Sequence, residues 1–493
     1  MVCLVVFAPA GNTQEALYEG ERWWAPGQGE QFPDRMSFEN NTGIVTTINS
    51  AGAVDTAGHP FFEPLGSNGR ACVTCHQPAD GMSLSLTTIR ERWRETAGAD
   101  PLFAAIDGAN CPNLPQGVAS SHSLLLDRGL FRIFRPWPPV DHDGNAVSPE
   151  FDIDVIRDPT GCNTNPDYGL ASDDPTISVF RRPRPATNLK YITATGFPFE
   201  PKNGLPLPND PLTGLPVSGN IMADARVRTL REQAIDAMKS HLQVEGEPDE
   251  NDIKRIIAFE SQLYTAQSFD KRGGSLTDQG ARGGPELLAK SRAGVLNSAS
   301  RSPMWDEFES WIDLQDKPDH LSDEQFEFRR SVGRGVRFFR ERTFLISDQA
   351  GITSMNFGNP VRNDCNFCHN MYRFGNDVAP GQVDLGTVNH PFSDPQPHLP
   401  LFKLTCKDGF EPHPHLGRTV LTHDPGFALT TGKCADIGKL TIQSMRGLAS
   451  RPPYFSSGFA QTIREIVEYY DRRFYMQMTE QEKQDLANLM SVL

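Results

Sequence analysis

Read for the spacing of its apolar residues, the chain alternates between a few helical stretches and long segments with no period. Thr87–Thr96 (TTIRERWRET) is patterned as a helix. Arg226–Val244 sets Leu230, Ala234, Ala237 and His241 at i, i+4, i+7 and i+11, which is one helical face. Asp252–Ala266, carrying Ile253, Ile256, Ile257, Phe259 and Leu263, predicts another helix. Leu321–Phe344 predicts a long basic helix, led by Ser322 with Glu324 close behind as a cap. Thr462–Phe474 and Thr479–Leu493 close the chain as helices. In the first of these Ile463, Ile466, Val467, Tyr470 and Phe474 share a face, so Tyr470 is expected to point inward and Tyr469 is not. Residues 15–70 are rich in turns. Residues 107–220 are crowded with Pro, Asp, Asn and Gly, including Phe134–Pro139 (FRPWPP) and Arg181–Pro185 (RRPRP), and read as long loops wrapped over the rest. The stretch from Gly273-Gly274 to Gly283-Gly284 reads as a flexible joint and the preferred domain boundary. The pattern as a whole predicts a mainly α protein.

Composition narrows the classes. The 493 residues hold 47 Lys and Arg against 62 Asp and Glu, a net charge of −15, which argues against nucleic acid as a partner because phosphate binding needs clustered cations. Gly 42 and Pro 39 are consistent with much loop. No run approaches the roughly 18 apolar residues of a membrane span. Val2–Ala10 (VCLVVFAPA) is apolar and ends in small residues, with no basic residue before it. Residues 1–14 read as the remnant of a truncated export signal, a buried first strand being the other reading.

The chemistry lies in the nine cysteines. Cys72-Val-Thr-Cys75-His76 and Cys365-Asn-Phe-Cys368-His369 are two copies of C-x-x-C-H, the attachment signature of c-type haem. Two thiols add to the two vinyl groups of the porphyrin, and the adjacent imidazole ligates the iron from the same side. A zinc site built from four thiolates would leave His76 and His369 as coincidences, and a thioredoxin-like pair would need a βαβ context that neither copy has. With Cys3 leaving in the signal, Cys111, Cys162, Cys406 and Cys434 remain. They pair locally as Cys111–Cys162 and Cys406–Cys434 if they form disulfides, or stay as free buried cysteines. Covalent haem and disulfides both predict the oxidising periplasm. The two motifs suggest two cytochrome c-like haem lobes joined by long irregular loops: residues 15–275 as an N-terminal haem domain with a loop insertion, and 276–493 as a C-terminal one.

The chain resembles the bacterial di-haem cytochrome c peroxidase family, including its methylamine-utilisation (MauG-type) members. The resemblance rests on Asn68-Gly69-Arg70-Ala71, Pro185-Ala186-Thr187-Asn188, Ala223-Asp224-Ala225-Arg226…Leu230-Arg231-Glu232-Gln233, and the run Asp424-Pro425-Gly426…Thr431-Gly432…Asp436-Ile437-Gly438-Lys439…Met445-Arg446…Pro453-Tyr454-Phe455…Gly458…Thr462-Ile463-Arg464-Glu465…Tyr470. It covers both haem motifs and only poorly the loops of 77–220 and 271–320. It implies that the first haem, with His76 as proximal ligand, is the reaction site and that the second, with His369, moves electrons or stores oxidising equivalents. The family places a Gln and a Glu on the open face of the first haem to shuttle a proton between the peroxide oxygens. Gln233 keeps the first place. The second falls at Gln243, which cannot transfer a proton as a carboxylate does. His241, nearby on the apolar face, is the candidate for the acid–base role, for the sixth iron ligand, or for a plain core histidine.

The far ligand of the second haem falls by resemblance at Tyr470, with Met445, Met355 and Met371 as rivals and a core tyrosine as the other reading. A phenolate favours ferric and higher iron. By resemblance a calcium ion would be held by Asn188 and the carbonyls of Arg451 and Pro453. Two departures stand out: Ala223 replaces the family's Trp between the haems, and Ser456 replaces the His after Pro-Tyr-Phe. The expected function is a di-haem oxidoreductase that reduces hydrogen peroxide, with a small redox protein as electron donor. An oxidase or oxygenase of an organic or protein substrate, drawing on dioxygen or peroxide, and a non-enzymatic di-haem electron carrier are the alternatives.

Overall fold

The computed structural model describes residues 16–193, 209–212, 214, 217–291, 307–354, 358–369 and 382–493. The signal remnant of 1–14, Met355 and Met371 lie outside the described residues.

The expectation of a mainly α protein with two helical haem lobes is corrected. Helix accounts for 28% and strand for 18%, with the strands spread over several small sheets. The largest sheet is antiparallel and four-stranded, running Arg35–Glu39, Gly43–Asn49, Leu263–Asp270, Gly274–Ser275 in spatial order. Two of its strands lie in the segment read as turns. The third lies where a helix was extended too far: the helix spans Glu250–Glu260, and the chain turns at Ser261 into Leu263–Asp270. Alternation within LYTAQSFD is blurred because that strand is central and covered, so its periodicity is indistinct without its partners.

The region 107–220 also holds strands. Phe131–Pro136 pairs with Thr176–Arg181, and Phe151–Arg157 pairs with Leu401–Cys406, which in turn pairs with Thr419–Thr422. A strand from each half of the chain thus shares one sheet. Both local disulfides are present, Cys111–Cys162 and Cys406–Cys434, and the second tethers the end of the Leu401–Cys406 strand. Among the described residues no helix is long and apolar enough to cross a membrane.

The helices that the pattern specified most strongly are present. Leu230–Ser240 opens on a capping box between Thr229 and Glu232. Asp323–Glu341 opens on Ser322, whose reciprocal partner is Gln325 and not Glu324. Glu480–Ser491 opens on Thr479 with Glu482. Asp323–Glu341 and Glu480–Ser491 pack along each other, and Ile463–Arg473 lies against the second. Their apolar faces (Val332, Val336, Phe339, Ile466, Val467, Leu489) form one core, while Phe32, Phe61, Phe62, Ile253, Ile256 and Phe259 form another on the N-terminal side.

Candidate haem-binding cavities

Each C-x-x-C-H motif opens onto its own large cavity. The N-terminal cavity has about 1090 Å³ of space counted out to its mouth, and its walls include Cys75, His76, Gln233, His241 and Glu260. The C-terminal cavity has about 1210 Å³, and its walls include Cys365, Cys368, His369, Met445 and Tyr470.

The four motif cysteines are the described ones that form no disulfide. Burial pushes the thiols of Cys75 and Cys368 up to about 12, and those of Cys72 and Cys365 higher still. A redox-active cysteine needs a thiolate stabilised by its surroundings, and these surroundings do the opposite. Nor do the two pairs converge: among the described residues no group of three or more His, Cys, Asp or Glu side chains is placed to hold a metal ion. The zinc and thioredoxin-like readings therefore lack the geometry they need.

His76 follows a short 3₁₀ turn over Cys72–Thr74. Its Nδ1–H donates to the Met82 carbonyl at 3.1 Å, which fixes the tautomer and leaves Nε2 with a bare lone pair. Burial, with His241 adding to it against the Met82 bond, lowers its pKa to about 4, so the imidazole is neutral at physiological pH. A neutral, oriented imidazole whose second nitrogen binds a carbonyl is what a metal ligand requires. Unpaired thiols, an oriented imidazole and an adjoining, largely apolar cavity fit a covalently attached haem.

On the other wall, His241 caps the Leu230–Ser240 helix. Its Nδ1–H donates to Asp107 Oδ2 at 2.6 Å, and Asp107 also forms a buried ion pair with Arg70. Burial alone would raise the Asp107 pKa, but Arg70 and the bond from His241 outweigh it and hold the carboxyl below its usual range. Arg70 is anchored by the carbonyls of Pro101 and Leu102, both at 2.7 Å, and Asn68 donates to the His241 carbonyl at 2.8 Å. The Asn68-Gly69-Arg70 segment just before the C-x-x-C-H motif thus braces His241 and Asp107. A Cβ at Gly66 would collide with the Leu242 carbonyl, so glycine lets the two segments meet. Gln233 lines the same cavity. Gln243 is not among its walls; its backbone takes a left-handed turn, φ 58°.

Sequence reading missed Asp107 and Glu260. Asp107 sits in a loop with no motif. Glu260 ends its helix on an apolar face, and that position is the one signal that was available.

In the second cavity His369 Nε2 and the Tyr470 hydroxyl meet at 3.2 Å. Two metal bonds of about 2 Å each would need roughly 4 Å between these atoms, so an iron between them requires the pair to separate. Burial raises the Tyr470 pKa far above the ordinary phenol value, and phenolate ligation therefore depends on the metal's own charge. The expectation that Tyr469 faces outward is corrected. Tyr469 is 2% exposed, donates to the Leu385 carbonyl at 2.9 Å and packs on Phe455 and Phe459. Helix Ile463–Arg473 is covered on two sides, so both tyrosines face inward. Met445 is buried and lines this cavity as well.

Two of the three expected calcium ligands, Asn188 and the Arg451 carbonyl, are otherwise engaged. Asn188 Oδ1 accepts from Thr265 N–H at 3.2 Å and its amide donates to the Thr265 carbonyl at 2.9 Å. The Arg182 guanidinium donates to the carbonyls of Arg451 (3.3 Å), Pro452 (3.4 Å) and Gly129 (2.9 Å), so a permanent cation lies against the backbone just before Pro453. This arrangement does not fit a calcium ion.

The two cavities are neighbours. A small space between them is walled by Arg184, Pro185, Ile192 and Asn220 of the first cavity and by Ile442, Gln443 and Ser444 of the second. Across this wall Thr441 N–H donates to the Ala223 carbonyl at 2.9 Å, its hydroxyl donates to the Met222 carbonyl at 2.7 Å, and Arg184 donates to the Thr441 carbonyl at 2.6 Å. The residue at the missing Trp position is therefore bonded through its backbone to the wall of the other cavity.

No family model and no curated protein matches the chain. A solved structure described as a MauG-like protein associated with microbial copper homeostasis is similar over 62% of this chain and 82% of that one, with 15% identity and a TM-score of 0.27, a likeness too slight to carry an argument.

Proposed function

We propose that this chain is a di-haem c-type oxidoreductase exported to the periplasm, with Cys72, Cys75 and His76 holding one haem and Cys365, Cys368 and His369 the other. The observation that carries the reading is that both C-x-x-C-H motifs, their thiols unpaired, open onto separate, largely apolar cavities walled by the motif's own His. A bound haem would supply an iron that binds peroxide on its open face and exchanges electrons.

The chain's own residues do the rest. His76 offers Nε2 as proximal ligand, held by the Met82 carbonyl. His241 takes a proton at Nε2 from the first peroxide oxygen and returns it to the second, while Asp107 holds Nδ1–H and stabilises the imidazolium. Gln233 offers its amide to the same ligand. Tyr470, which lines the second cavity with His369, would be the far ligand of a haem held there, and the Ala223–Thr441 backbone contact would join the two sites.

A second reading, a di-haem electron carrier, draws on one observation: His76 and His241 line the same cavity, so His241 is available as a sixth ligand. Expression with the c-type maturation machinery tests the first claim. A Soret band and a mass increase of two haems are expected; their absence overturns both readings. A high-spin ferric component then supports the open site, and two low-spin haems support the carrier.

A further inference from the structure

The N-terminal cavity contains a carboxyl that this function does not use. Glu260 is 4% exposed and lines the cavity with Cys75, His76 and His241. It is the last residue of helix Glu250–Glu260, the end at which the helix dipole disfavours an anion. Among the described residues no side chain or backbone group donates to it or pairs with it, and burial alone sets its protonation. Buried polar groups normally have partners, so what it faces is the contents of the cavity.

We propose that Glu260 is a proton-binding site coupled to the charge on the iron of the N-terminal haem, taking up one proton when that iron is reduced and releasing it when the iron is oxidised. The proposal rests on the haem reading above. The step balances as one electron from an external one-electron reductant, such as a small redox protein, and one proton from water: ferric iron with carboxylate becomes ferrous iron with carboxylic acid.

The other charges around the cavity do not take this role. Arg181 is paired to Asp224 and Asp424, and Arg226 to Asp224 and Asp236. Asp107 is held by Arg70 and His241. Arg182 and Arg184 donate to backbone carbonyls. The thiols of Cys72 and Cys75 become thioethers on attachment. His59, which packs on Phe259 from the preceding turn, has its pKa lowered to about 4 by burial and by Arg255, and stays neutral. Burial raises Glu260 to about 8, so a modest change in nearby charge moves its proton near physiological pH. The carboxylate stabilises the oxidised, more positive iron, so the sign is a potential that falls as pH rises.

The experiment is a spectroelectrochemical titration of the full-length holoprotein between pH 6 and pH 10. In the wild type, the midpoint of the N-terminal haem is expected to fall with pH by up to about 59 mV per unit, the one-electron value of a tenfold change. Glu260→Gln should flatten that slope, leaving the low-pH potential near that of the wild type and the high-pH potential above it, while Glu260→Asp restores a slope. A wild type with no slope, or an unchanged slope in Glu260→Gln, overturns the proposal while leaving the haem reading intact. Absence of covalent haem instead removes the reading beneath it. If Glu260→Gln fails to fold, a redox-difference infrared spectrum of the wild type reads the same carboxyl: gain of a protonated carboxyl C=O band on reduction supports the proposal, and its absence overturns it.

Discussion

Between Arg70 and His241, the Asp107 carboxylate accepts from a permanent cation on one side and an imidazole on the other. This arrangement turns an exchangeable histidine into an oriented one. Replacing Asp107 with Asn keeps the shape and removes the charge that stabilises protonated His241. Peroxide turnover is expected to fall about 10²-fold or more with haem content unchanged, as read by steady-state kinetics beside the Soret absorbance. Because its folded pKa is depressed, Asp107 contributes stability that is present above the ordinary carboxylate range and lost as pH falls through its lowered value. At the second site, Tyr470→Phe should change the ferric spectrum of the C-terminal haem alone; an unchanged spectrum removes Tyr470 as a ligand. The Cys and His residues proposed to hold haem were legible because covalent attachment would tie them to a fixed local spacing. Asp107 was not, because its role depends on Arg70 and His241, which reach it only through the fold.

At the scale of elements, local chemistry specified where the helices begin. Thr229, Ser322 and Thr479 each accept from the third backbone amide of their helix. Thr229→Ala is expected to cost about 1 kcal/mol, read from the denaturant midpoint. Gly335 shows the limit of such local signals. It looks like a weak point in a helix, yet a Cβ there would press on the Asp485 carbonyl, so the glycine lets Asp323–Glu341 and Glu480–Ser491 approach closely. Gly335→Ala should destabilise by about 1–3 kcal/mol through overpacking despite its better helix propensity, and urea denaturation checks the sign. The strands were hidden for a related reason. Phe151–Arg157 is paired with Leu401–Cys406, and no window of the sequence contains both.

At the scale of the molecule, each of the two cavities presents largely apolar walls that a bound haem would cover. Variants with both cysteines of one motif replaced by Ala, which cannot attach that haem, are expected to melt several degrees below the holoprotein, as read by calorimetry. Glu260 adds a pH term of opposite sense to that of Asp107. Its folded pKa is raised, so its contribution is fully present below the ordinary glutamate pKa and is lost as pH rises toward about 8. Glu260→Gln should therefore reduce the decline in stability over that window, by at most about 1.4 kcal/mol per pH unit.

The amino-acid sequence by itself determined the chemistry that is local along the chain: two thiols and an imidazole within five residues, capped helix starts, and cysteine pairs close enough to close short loops. Only the tertiary structure decided the proportion of sheet, the inward turn of Tyr469, the Arg182 guanidinium lying against the Arg451 carbonyl, the partners of His241 and the burial of Glu260. Local chemistry is set by covalent neighbours, whereas burial, strand pairing and the charge around a side chain are set by residues distant in sequence.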